Sequence, residues 1–212
     1  MDKEEVRENF KRAIFILNSI ELQNKIIAEL PYMSEKFLPD FAKKRMAMGD
    51  VDEWTNANGE FGRTPTNPIL VNNTWGEITY LSRLITNNNK RMIFHRIGSI
   101  VDAIDAFELV SEDAEFVDVL YLDMYHRNCS KKAPTGYKLL EIVDGITGTS
   151  ETIPGFPMNI LEPLVKTAVN KFGAPIVNPL LFDFDEKKAA KLLDEARRGN
   201  NLNGKILGTM TV

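Results

Sequence analysis

The chain has 212 residues, 43% of them hydrophobic and 26% charged, and carries a formal net charge of −4. That length supports one substantial core without staples, and the composition excludes disordered, fibrous and repeat proteins. The acidic balance argues against nucleic acid, the single Cys129 excludes a disulfide framework, and no apolar run is long enough to span a membrane.

The opening MDKEEVRENFKR mixes acids and bases and lacks the apolar stretch of a signal peptide, so a cytoplasmic location is expected. Val6, Phe10, Ala13, Ile14 and Leu17 recur on one helical face, and Leu22, Ile26, Ile27 and Leu30 continue the stripe to Pro31. Ser34 is placed to cap a further helix through Phe37, Leu38, Phe41, Ala42 and Met46, with Pro39 predicting a late start or a bend. Residues 1–48 therefore read as a helical N-terminal part. From 49 to 68 the periodicity gives way to Gly, Asn, Thr and Pro, a long loop of the kind that tends to be functional or mobile.

Residues 69–145 read as a β module. Strands are predicted over Arg91–Ile97, Ala103–Val110, Phe116–Tyr125 and Tyr137–Val143, with a turn at Ser111–Ala114 closing an antiparallel hairpin. Val117, Val119 and Tyr121 alternate with Leu120, Leu122 and Met124, which suits a central strand covered on both faces. Helix returns over 158–199. Asn159 and Glu162 resemble a capping box ahead of the apolar face of Ile160, Leu161, Leu164, Val165, Ala168, Val169 and Phe172, and Gly173 ends it. A last helix from Asp185 to Arg198 carries Ala189, Leu192, Leu193 and Ala196, and the tail 200–212 reads as loosely attached or as an edge strand. Strands grouped between helical ends define an α+β fold. It is expected as one domain over 1–212, with an antiparallel sheet of about three to five strands.

Charge is most uneven along the hairpin. Eight acids, Asp102, Asp105, Glu108, Glu112, Asp113, Glu115, Asp118 and Asp123, follow one another without a lysine or arginine. The loop 126–138 that comes next is wholly basic or neutral, so Arg127, Ser130, Lys131 and Lys132 are candidates to cradle an anion, or else the loop lies against the acidic hairpin or is solvated. Arg63 is a second anion contact, in the Gly/Pro-shaped loop before Trp75 and Tyr80, aromatics that can line a groove or anchor the loop. Asp123, His126 and Cys129 stand at three-residue intervals. All are metal-ligand types, and His95 would complete a set, but the spacing matches no strong zinc pattern, and neither metal nor cofactor is expected. Cys129 with His126 as its base is the nucleophile reading of the same residues. His95 or His126 with Asp118 or Asp123 is the acid–base reading, while a buried His95 would pair with Asp105 or Asp118.

The strings Thr66–Asn72, Gly76–Ser82, Phe94–Ser99 and Tyr121–His126 resemble a group of uncharacterised bacterial proteins over about residues 60–140. The resemblance implies a bacterial source and a core module in that stretch, and no catalytic residues. The expected function is non-catalytic binding, with the β module and loop 126–138 meeting a protein or a small anionic ligand. Two alternatives stand beside it. One is a hydrolase-like enzyme using His95, Asp123 and His126. The other is an immunity-type or regulatory protein whose acidic hairpin meets a basic partner.

Overall fold

The computed structural model describes residues 38–100 and 103–199. The apolar stripes before residue 38, the Ser34 cap, Asp102 and the tail 200–212 lie outside the described residues. The first described helix, α1 (Asp40–Met46), starts directly after Pro39, because proline is tolerated at a helix start and not within it.

The middle of the chain runs β1 (Ile69–Leu70), α1's successor α2 (Asn73–Arg83), β2 (Leu84–Thr86), β3 (Met92–Ile100), β4 (Ile104–Ser111), β5 (Val117–Asp123), β6 (Tyr137–Leu139) and β7 (Gly148–Thr149). Then come α3 (Leu161–Phe172), a 3-10 turn at Pro179–Phe182, and α4 (Glu186–Gly199). The expected hairpin forms, with β4 antiparallel to β5 and to β3. The purely antiparallel sheet is corrected. Its order is β1-β5-β4-β3-β7, and the outer pairs β1–β5 and β3–β7 are parallel, so the sheet is mixed. Each of those outer strands is only two residues long, too short for any alternation to show in the sequence. Tyr137–Leu139 is a strand, but it pairs with β2 in a separate two-stranded ribbon.

A second correction is α2, a helix inside the stretch read as β. Every residue from Gly76 to Ser82 is buried, so the helix has no polar face and no amphipathic period to announce it. The capping box at Asn159 does not form either. Ile160 is the N-cap of α3, and the orphan amides are satisfied from outside, where Glu186 accepts the Asn159 N–H at 2.8 Å and the Ile160 N–H at 3.2 Å. Gly173 closes α3 in the left-handed conformation, φ 71°.

Both faces of β4 are covered, all eight of its residues being buried. Asp105 and Glu108 are three positions apart and so point to opposite faces. Glu77 of α2 acts on Asp105, and Arg197 of α4 binds Glu108, which places the two helices on opposite sides of the strand. The edge strand β7 docks through close backbone approach, because a Cβ on Gly148 would sit 2.2 Å from the Phe94 carbonyl oxygen. Gly148→Ala is therefore expected to lower stability by about 1–3 kcal/mol or more through overpacking. Thermal unfolding checks this, and an unchanged midpoint would refute the docking.

Candidate functional site

The acids of the hairpin turn inward. Asp105, Glu108, Asp118 and Asp123 are all buried, and each meets an arginine. Arg96 lies 2.9 Å from Asp105, Arg197 2.6 Å from Glu108, Arg63 3.0 Å from Asp118 and Arg45 3.2 Å from Asp123. A carboxylate taken from water needs such a partner, since an unpaired buried charge is strongly unfavourable. Burial pushes Glu108 upward, but hydrogen bonds from His95 and Arg197 outweigh it and its pKa lies below the ordinary value. For Asp118 burial wins, and Arg63 and the Tyr137 hydroxyl offset it only in part, leaving the pKa raised. Nearer the turn, Glu115 binds Lys188, and Asp113 lies 3.7 Å from Lys90. The acidic run is thus largely consumed within the fold.

Asp123 and His126 come together at the carboxyl end of β5, next to β1. Asp123 Oδ2 is 2.8 Å from His126 Nε2, and both side chains are buried, His126 being 1% exposed. Arg45 holds the other carboxylate oxygen, with its guanidinium over the Phe41 and Trp54 rings at 5.1 and 5.2 Å. The Trp54 indole N–H points at the same Nε2 from 3.3 Å. One nitrogen cannot both accept from the indole and donate to a carboxylate, and the shorter contact to a charged acceptor fixes the proton on Nε2. In that tautomer His126 Nδ1 is a buried lone pair with no hydrogen-bond partner among the described residues.

The structure does not bring His95 to this dyad. His95 is 5% exposed and faces Glu108, not Asp105 or Asp118, because Glu108 stands directly opposite it on β4. Cys129 is turned toward α2, where a Cβ on Gly76 would come within 3.0 Å of its sulfur. Among the described residues no group of three or more His, Cys, Asp and Glu is arranged to hold a metal.

The basic loop lies against the acids of loop 49–68 and not, as expected, against the acidic hairpin. The Ser130 hydroxyl donates to the Asp52 carbonyl, Lys131 N–H to the Asp52 carboxylate at 2.6 Å, and Lys132 pairs with Glu53. Lys131 Nζ lies 3.7 Å from Asp50. Arg127 has a buried Nε without a partner among the described residues, and its carbonyl accepts from Asn72. Trp75 packs against the core at the start of α2. Arg63 donates to Asp118, to Glu60 and to the Thr135 carbonyl, so its guanidinium is fully engaged.

Glu77 escaped notice in the sequence. It is fully buried in α2, and its one polar neighbour of note is the Asp105 carboxyl, close enough to act on its proton though outside strict hydrogen-bond geometry among the described residues. Burial first, and the neighbouring Asp105 second, hold its pKa well above the ordinary carboxylate range, with Arg96 and Lys171 offsetting this only in part. Its sole sequence signal is an acid inside an otherwise apolar helical stretch.

A cleft of about 420 Å³ opens where the β4–β5 turn meets loop 126–138. Its walls include Arg63, Asn87, Asn88, Phe116, Thr135 and Gly136. Phe116 is 42% exposed and meets the Tyr137 ring edge-on at 6.1 Å. Asn87 and Asn88 are exposed, and their side-chain amides make no hydrogen bond to other described residues. No family model, no curated protein and no solved structure matches the chain. Among the described residues no helix is long and apolar enough to cross a membrane.

Proposed function

We propose that this is a non-catalytic binding protein that engages a protein partner through the β module at the Phe116 cleft. One observation carries the reading. The cleft presents an exposed aromatic ring between free side-chain amides, while the charges around it are already paired within the chain. Such a surface offers apolar contact and hydrogen bonding, the features of an interface anchor, and little net charge. A small anionic ligand has less support, because Lys131 and Lys132 face Asp50 and Glu53. The immunity-type reading likewise loses its free carboxylates to Arg45, Arg63, Arg96 and Arg197.

The test is retention of one specific protein from a bacterial lysate by the wild-type chain and by Phe116→Asp, with unfolding midpoints measured in parallel. Loss of that protein at an unchanged midpoint, with binding by the wild type insensitive to added salt, supports the reading. Retention that survives Phe116→Asp, or that salt abolishes, moves the contact elsewhere.

The enzyme reading keeps one specific observation in its favour, an aspartate-oriented histidine with a free Nδ1. It requires that nitrogen to be reachable from solvent.

A further inference from the structure

After β7 the chain forms loop 151–158, one wall of a cleft of about 560 Å³ whose other wall is α3. This cleft is separate from the one at Phe116. Its lining includes Glu151, Ile153, Met158, Thr167 and Lys171.

His95 fastens that wall to the sheet. Its Nδ1 accepts the Ile153 N–H at 3.1 Å, and the Phe156 ring stacks on the imidazole with centroids 4.2 Å apart and planes at 17°. On its other side Nε2 lies 3.2 Å from Glu108 Oε2. A backbone N–H only donates, so Nδ1 must present a lone pair and the ring proton must sit on Nε2. The imidazole is neutral in this arrangement, and a proton on Nδ1 would face the Ile153 N–H donor to donor. Glu108 does not need a second positive charge, because Arg197 already binds it through Nε at 2.9 Å and Nη2 at 2.6 Å. Among the described residues the charged groups that bind the ring or its carboxylate are Glu108 from β4 and Arg197, with Asp194 behind it, from α4, while Glu151 at the base of the loop and Lys171 of α3, which reaches Ser150, line the adjoining cleft. Thr149 stands beside it on β7, and Arg96, next along β3, turns to the opposite face toward Asp105.

We propose that His95 is a protonation-sensitive latch: a proton taken up at Nδ1 breaks the Ile153 N–H···Nδ1 bond and frees loop 151–158, opening that wall of the cleft. The device is independent of the binding surface at Phe116. The other histidine provides an internal contrast, since among the described residues no amide donates to His126 Nδ1 and its ring makes no bond to this loop.

The test follows two signals in the wild-type chain by NMR across mildly acidic to mildly basic pH. One is the titration of the His95 ring. The other is amide hydrogen exchange at Ile153, corrected for intrinsic rates, with Leu109 in β4 as the core reference. Ile153 protection is expected to fall at least tenfold with the midpoint of the His95 ring, while Leu109 keeps its protection. Three outcomes overturn the latch. They are Ile153 protection that ignores His95 protonation, protection lost at a different midpoint, or a ring that does not titrate before the whole chain unfolds. His95→Gln cannot take up the proton, so a folded variant should show corrected Ile153 exchange independent of pH, and a persisting dependence would also overturn the latch. If that variant does not fold, the wild-type comparison alone decides.

Discussion

Arg63→Met is expected to destabilise the chain by about 3–5 kcal/mol, because it leaves the Asp118 carboxylate buried with its charge uncompensated. Arg63 approaches Asp118 with both Nε and Nη2, at 3.1 and 3.0 Å, whereas the Tyr137 hydroxyl at 3.0 Å and the Val119 N–H at 2.8 Å, which also donate to that carboxylate, are neutral and cannot replace its charge. In a chain of this length such a loss corresponds to roughly 10 °C in the unfolding midpoint. The double variant Arg63→Met/Asp118→Asn should recover much of it, since the unpaired charge is gone and the two sites share one contact. Urea titrations of the four corners of this cycle measure the coupling. Additive effects would mean that the pair does not organise the fold. Arg197→Met should be milder, because that side chain is 37% exposed and water can reach the Glu108 it leaves behind.

Glu77→Met is expected to act in the opposite direction, raising stability at neutral pH by about 1–3 kcal/mol, the usual cost of burying a polar group, here set beside a second carboxyl. The sign of its pH dependence follows from the raised pKa. In the unfolded chain Glu77 ionises near the ordinary value of 4.5, whereas in the folded chain burial and Asp105 keep it protonated to higher pH. Below 4.5 both states hold the proton and Glu77 adds no pH dependence. As pH rises above that value the unfolded state alone releases it, and stability falls until the folded pKa is passed. The wild type and Glu77→Met should therefore lie closest in acid and diverge as the pH rises, the variant being the more stable. Denaturation at several pH values tests this, and a constant difference would mean that Glu77 is not held neutral.

Sequence pattern revealed the parts of the fold whose signals are local and long. The β4–β5 hairpin alternates over enough residues to be seen, and the i, i+3 spacing of Asp123 and His126 already marked them as neighbours. The helix α2 was invisible because burial from Gly76 to Ser82 removes the polar face that amphipathic reading depends on. The parallel outer strands were invisible because two residues carry no period. The acidic run looked like a charged surface, since its partners are distant in sequence. Arg63 lies 55 positions from Asp118, Arg45 78 from Asp123 and Arg197 89 from Glu108. No local rule relates residues so far apart. The basic loop is a similar case, 78 and 79 positions from the Asp52 groups that hold it.

These arginine clamps have a common consequence for function. The acids and both histidines that suggested chemistry are drawn into pairs that join α1, loop 49–68 and α4 to the central sheet. What remains open at the Phe116 cleft is an aromatic ring and neutral amides, the basis of the binding reading.

That account depends most directly on both imidazoles being inaccessible in the folded chain. Diethyl pyrocarbonate acylates exposed neutral histidine, and this chain has two histidines. At neutral pH the native protein should show neither modified on peptide mapping, and both should react once it is denatured. Rapid modification of His126 in the native protein would present its free Nδ1 to solvent, contradict the structural role assigned to it, and return the Asp123–His126 dyad to the place of an active site.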